Sequence, residues 1–135
     1  MSNAEINIPN AKARGEWAEL RFMARAAELG LRVAKPWGDN SPYDLAVDCA
    51  GHFLRIQIKC TRYKRQHSYV CTICSSHVPY TPDQLDFIAA YVIPADAWYI
   101  LPIRATRRQS ALVLSPHLTK SKYGKYQEAW HLLQR

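Results

Sequence analysis

At 135 residues, with 48% hydrophobic and only 21% charged residues, the chain is long enough for one domain with a real core and too apolar for disorder. Eighteen Lys and Arg against eleven Asp and Glu leave a net charge of +7, an excess that favours a polyanionic partner, nucleic acid before membrane. No apolar run approaches the roughly 20 residues that span a bilayer, and Met1-Ser2-Asn3-Ala4-Glu5 is unlike a signal peptide, so a soluble cytoplasmic chain with no membrane partner is expected.

Residues 11–30, rich in Ala, Leu, Glu, Met and Arg and closed by Gly30, predict an amphipathic helix of about five turns with Asn10 as N-cap. Its apolar stripe is expected to be Trp17, Leu20, Ala24, Ala27 and Leu31. Residues 31–35 suit a short strand. Pro36-Trp37-Gly38-Asp39-Asn40-Ser41-Pro42 is dense in turn formers and delivers the chain into a hairpin.

That hairpin, Tyr43-Asp44-Leu45-Ala46-Val47-Asp48 and Phe53-Leu54-Arg55-Ile56-Gln57-Ile58-Lys59, carries the chemistry. A reversal at Ala50-Gly51 sets partners whose numbers sum to 101, so Asp44 is expected opposite Gln57, Ala46 opposite Arg55 and Asp48 opposite Phe53. Period two then gathers Asp44, Asp48, Arg55, Gln57 and Lys59 on one face. Leu45, Val47, Leu54, Ile56 and Ile58 take the other. A carboxylate, an amide oxygen and an ammonium in one patch suit a hard divalent cation, with Asp44 as charged ligand, Gln57 and the Ile58 carbonyl as neutral ones, and Lys59 beside the reacting phosphate. The plain alternative is a solvated hairpin face crossed by an Asp–Arg or Asp–Lys pair.

Further strands are expected over residues 68–74, 87–93 and 98–103, a helical turn over 81–85, an edge strand at Leu112-Val113-Leu114, and a closing helix over 125–133 with Tyr126, Trp130 and Leu133 on one face. Cys49, Cys60, Cys71 and Cys74 lack a secreted disulfide framework and read as reduced thiols; Cys71-Thr72-Ile73-Cys74 has zinc-like spacing but no second ligand pair. No repeat, linker or second domain interrupts residues 1–135.

The ordered set Gly15-Glu16-Trp17-Ala18-Glu19, Pro36-Trp37-Gly38-Asp39, Tyr43-Asp44-Leu45 and Arg55-Ile56-Gln57-Ile58-Lys59 resembles the PD-(D/E)XK nuclease superfamily. It looks most like the small branch that includes an intron-encoded homing endonuclease, where Gln stands for the usual acidic residue. The resemblance implies an α/β, restriction-endonuclease-like core, a central mixed sheet flanked by helices. It implies a Mg2+-dependent (or Mn2+-dependent) DNA endonuclease of the homing, restriction or repair type. Asp44 would bridge the metal, Gln57 would be the second strand ligand, Lys59 would orient or activate the attacking water, and Glu19 would act from the helix. Loss of one negative charge at Gln57 weakens metal affinity. A catalytically decayed DNA-binding module and a branched-DNA (Holliday junction) resolvase are the other readings of the same pattern.

Lys35, Arg62, Lys64, Arg65, Arg104, Arg107 and Arg108, with Lys120, Lys122 and Lys125, fall in loops or just past strand ends and are candidates for tracking a double-stranded DNA backbone. Asp39 fits a structural turn role, and Asp48 lies too near the hairpin tip to share an ion with Lys59. One site cuts one strand, so a homodimer or homotetramer is expected.

Overall fold

The computed structural model describes Asn3 and residues 5–134; Met1, Ser2 and Ala4, which make up most of the polar start, and Arg135 lie outside the described residues. Helix α1 runs Ala11–Glu28, and its start is set by Asn10, whose side-chain oxygen accepts the Ala13 N–H at 3.0 Å. Among the described residues, no helix is long and apolar enough to cross a membrane.

The buried stripe of α1 differs from the expected one. Ala18, Phe22 and Ala26 are fully buried, whereas Leu20 is 61% exposed and Ala24 and Ala27 face solvent; Trp17 and Leu31 only flank the contact. Both stripes have helical spacing, so periodicity does not choose between them. The choice is made by Phe22, whose ring lies 5.5 Å from that of Trp98 and 5.2 Å from that of Trp130, with Ala18 and Ala26 letting the helix approach closely.

Five strands form the central sheet in the order β1-β2-β3-β6-β7: β1 Arg32–Ala34, β2 Leu45–Cys49, β3 His52–Thr61, β6 Phe87–Val92 and β7 Ala97–Pro102. The sheet is mixed, because β3 and β6 pair in parallel while the other neighbours are antiparallel. The β2–β3 register obeys the expected sum, with Leu45 opposite Ile56, Ala46 opposite Arg55 and Asp48 opposite Phe53. Leu45, Val47, Ile56 and Ile58 face α1 in one core. The other face is closed by a second, three-stranded sheet, β4 Lys64–Arg65, β5 Ser68–Thr72 and β8 Ala111–Leu114, which encloses a core with Ile88, Ala90, Val92 and Leu101. The strand around Leu112-Val113-Leu114 thus pairs with β5, not with the central sheet. Residues 81–85 make a turn rather than a helix, closed on itself by Gln84, whose side-chain oxygen accepts the Thr81 N–H at 3.0 Å.

The closing helix does not form. Two short 3-10 turns, Gly124–Tyr126 and Trp130–Leu133, are separated by Glu128 at φ +53. Glu128 instead serves the exposed edge of β7: its N–H donates to Trp98 C=O at 2.7 Å and its carboxylate accepts Trp98 N–H at 2.9 Å and Trp130 Nε1–H at 2.8 Å. Bonds that protect a sheet edge outweigh helix propensity here. Tyr126 and Trp130 accordingly pack into different cores.

Tyr99, fully buried on β7, leaves its hydroxyl without a hydrogen-bond partner. A buried unpaired hydroxyl costs roughly 1–3 kcal/mol. Tyr99→Phe is therefore expected to raise stability, by about 1 kcal/mol after loss of some packing, and a urea midpoint that falls in this variant would refute that assignment.

Candidate active site

Asp44 stands in a bend just before β2, and the ladder slips there by one residue. Its N–H donates to Ile56 C=O at 2.9 Å, not to Gln57 directly opposite, and its carboxylate Oδ2 accepts the Ile58 N–H at 2.8 Å. The expected Asp44–Gln57 ladder pair is thus replaced by a side chain completing the sheet. A short acceptor placed where a strand starts competes with the backbone for its partner's N–H. The Ile58 carbonyl shares the edge of β3 on which its N–H meets Asp44.

Gln57 and Lys59 flank Ile58 and point to the face away from α1. A cleft of about 500 Å³ opens there, lined by Asn40, Asp44, Gln57, Tyr80 and Gln84. Lys59 Nζ lies 5.6 Å from the centroid of the buried Tyr80 ring, and among the described residues it has no carboxylate within salt-bridge reach. Glu19, on the flank of α1, is ion-paired to Lys35 Nζ at 3.0 Å. Lys35, a candidate for the DNA backbone, therefore begins as the partner of the candidate helix carboxylate.

Burial pushes the Asp44 carboxyl up to about 6; the Ile58 N–H works against that rise, the neighbouring Glu19 carboxylate adds to it, and the Lys59 and Lys35 cations oppose it. Helix, loop and strand thus bring four charged groups together, with Glu19, Lys35 and Lys59 all acting on Asp44. A carboxylate raised by burial beside a second carboxylate is a setting that a cation relieves. Among the described residues no three His, Cys, Asp or Glu side chains gather as a metal cluster, so an ion here would take Asp44 together with neutral oxygens, the Gln57 amide and the Ile58 carbonyl. An oxygen-only donor set fits Mg2+ or Mn2+ and does not fit zinc.

Arg55 does not cross to Asp44. Its guanidinium forks onto Asp86 at 3.1 and 3.2 Å and reaches the Pro82 and Asp83 carbonyls, while its own N–H donates to Asp86 Oδ2 at 2.8 Å. Burial tends to raise the Asp86 carboxyl, yet the hydrogen bonds and charge of Arg55 hold it below the usual range. This clamp ties β3 to the turn ahead of β6, so Arg55 serves the frame and leaves Asp44 free. Asp48 caps the hairpin turn by accepting Gly51 N–H at 3.1 Å, and Asp39 is exposed. Cys71 is fully buried, and burial raises its thiol to about 12, which marks a packing residue.

Register separates the basic residues into two groups. Arg62, Lys64 and Arg65 follow the C-terminal end of β3, on the side of Lys59, whereas Arg104, Arg107 and Arg108 follow the end of antiparallel β7, level with Ile56. All six are exposed, and the two levels stand roughly 17 Å apart at about 3.3 Å per residue. Sequence reading missed the Arg55–Asp86 clamp and the place of Tyr80 beneath Lys59; no local spacing marks either, since the partners lie 31 and 21 residues apart in the chain.

Comparison with known proteins bears on the family and the fold. The family model described as PD-(D/E)XK endonuclease matches residues 9–133. The solved structure of a bacterial homing endonuclease, I-Ssp6803I, is similar with a TM-score of 0.78 and 28% sequence identity, over 93% of this chain and 92% of that one. No curated protein matches. With nearly its whole length matched and its five-stranded mixed sheet arranged as in that fold, the chain belongs to the PD-(D/E)XK endonuclease family.

Proposed function

We propose that the protein is a divalent-metal-dependent endonuclease that hydrolyses phosphodiester bonds of double-stranded DNA. The observation that carries this is Asp44, lifted to about 6 at an open cleft that Gln57 also lines, with the charges of Glu19 and Lys59 acting on it. A bound Mg2+ or Mn2+ supplies charge to the phosphate oxygens and acidifies a water. Asp44, Gln57 and the Ile58 carbonyl would hold that ion. Lys59, free of a carboxylate partner, is the cation available to orient the attacking water and to oppose charge gathering on the phosphate. Glu19 balances the site's charge from the helix, and Lys35 holds it in place.

The exposed basic groups on either side of the cleft suit a backbone that passes over it. The homing-endonuclease neighbour makes DNA the first substrate to test. A homodimer or homotetramer would present a second copy of the site to the opposite strand.

Gln57, neutral where a second carboxylate would bind metal more tightly, favours one rival: a DNA-binding module without cleavage. Supercoiled plasmid separates the two. Wild-type protein should convert it to open circles with Mg2+ or Mn2+ and leave it intact with EDTA. Retarded but uncut plasmid across both metals, and on branched as well as linear DNA, would establish the module instead.

A further inference from the structure

The loop that links β1 to Asp44, residues 35–44, is tied down at both ends by site residues. Lys35 pairs with Glu19 at 3.0 Å, and Asp44 accepts Ile58 N–H at 2.8 Å. Between these anchors stands Trp37, 101% exposed, its ring resting on nothing, followed by Gly38 at φ +80. The other tryptophans are packed: Trp98 and Trp130 are each 4% exposed, and Trp17 lies 5.8 Å from the Tyr91 ring. Register fixes where the loop goes. Ala34 aligns with Ala46 and thereby with Arg55, so the chain leaves β1 toward the C-terminal end of β3, the end that carries Lys59, Arg62, Lys64 and Arg65.

An indole covers about 150–250 Å² when it finds a partner. Held on the loop that leads into Asp44 and runs toward the end of β3 followed by Arg62, Lys64 and Arg65, the ring has as its fitting partner one that joins negative charge to a flat π-face. A nucleobase beside its own phosphate meets both demands. In an intact duplex the base faces are hidden, so contact requires one base step to open, which apolar side chains accomplish as wedges.

We propose that Trp37 stacks on an unstacked nucleobase next to the phosphate that the site attacks, opening the duplex there and setting the register of the cut. The inference rests on the nucleic-acid reading of the site. It adds a positioning residue that acts on the base, apart from the metal-binding and water-activating groups.

The test uses the full chain carrying Lys59→Ala, so that DNA is bound but not cut, with duplexes bearing 2-aminopurine at successive positions. Binding should quench tryptophan emission and brighten 2-aminopurine at one or two positions. Trp37→Ala should abolish both signals and weaken binding roughly 10-fold to 100-fold. Trp37→Phe should keep the 2-aminopurine signal and most of the affinity, since a phenyl ring still stacks. Duplex that binds by anisotropy with tryptophan emission unmoved and 2-aminopurine silent at every position would overturn the inference. So would Trp37→Ala that dissociates an oligomer by light scattering while the 2-aminopurine signal persists, because a second copy would then cover the ring. Plasmid nicking by the wild type, run alongside, keeps the two readings apart: quenching without nicking supports Trp37 stacking and defeats cleavage, whereas no DNA binding at all defeats both.

Discussion

Lys59→Ala should lower the cleavage rate by roughly 10²–10³-fold while leaving DNA affinity within a few fold. Among the described residues its ammonium has no carboxylate within salt-bridge reach, so its charge is available to the reacting phosphate, whereas that of Lys35 is engaged by Glu19. Asp44→Asn should be at least as damaging to rate and yet opposite in its effect on the fold. The Asp44 carboxyl is raised from 3.8 to about 6, so the folded state binds a proton more tightly than the unfolded chain. Stability from this group is therefore greatest below pH 3.8 and falls as pH rises toward 6. At pH 7 the neutral Asn, which can still accept Ile58 N–H, should gain about 1–2 kcal/mol once partial solvent screening is allowed for. Denaturant midpoints at pH 4 and pH 7 check this: the advantage of Asp44→Asn should appear only at the higher pH. For activity, ionised Asp44 is the competent form, so cleavage should rise with pH through about 6 and the midpoint should move lower as Mg2+ is raised. A midpoint independent of metal concentration would remove Asp44 from the ligand set.

Phe22→Ala should cost about 3–5 kcal/mol, which at this length lowers Tm by roughly 10–20 °C. Phe22 is fully buried between Trp98 and Trp130, and those rings also contact each other at 5.9 Å, so the space it leaves has rigid walls. The loss also bears on the site, because the same helix carries Glu19 one turn earlier. Leu20→Ala, two residues away but 61% exposed, should change Tm little. Equal losses for the two variants would mean that the helix face is assigned wrongly.

The hairpin and its register were legible in the residues alone. Alternation over Leu45, Val47, Ile56 and Ile58 marks one apolar face, and a one-residue slip would turn every one of them away from the α1 core. The Asn10 cap, the short strand after Gly30 and the central strands followed from equally local rules. Elements that serve distant partners were not legible. Glu128 takes a positive φ to reach Trp98, 30 residues earlier, and the helix that local propensity favours is lost there. The buried stripe of α1 falls on another face of the helix from the expected one because Phe22, not Leu20, meets the two tryptophans.

The site divides along the same line. Sequence by itself nominated the groups proposed to do chemistry, since Gln57, Ile58 and Lys59 sit on one strand, and Asp44 stands just ahead of its partner, in a hairpin whose pairing is set by period and turn. Only the tertiary structure decided the proton affinity of Asp44 and the partners that the neighbouring charges take. Arg55 is drawn away to Asp86, Lys35 crosses to Glu19, and burial with Glu19 nearby lifts Asp44. Those outcomes depend on desolvation and on Coulomb terms between groups 14 to 31 residues apart in the chain, which no local pattern encodes.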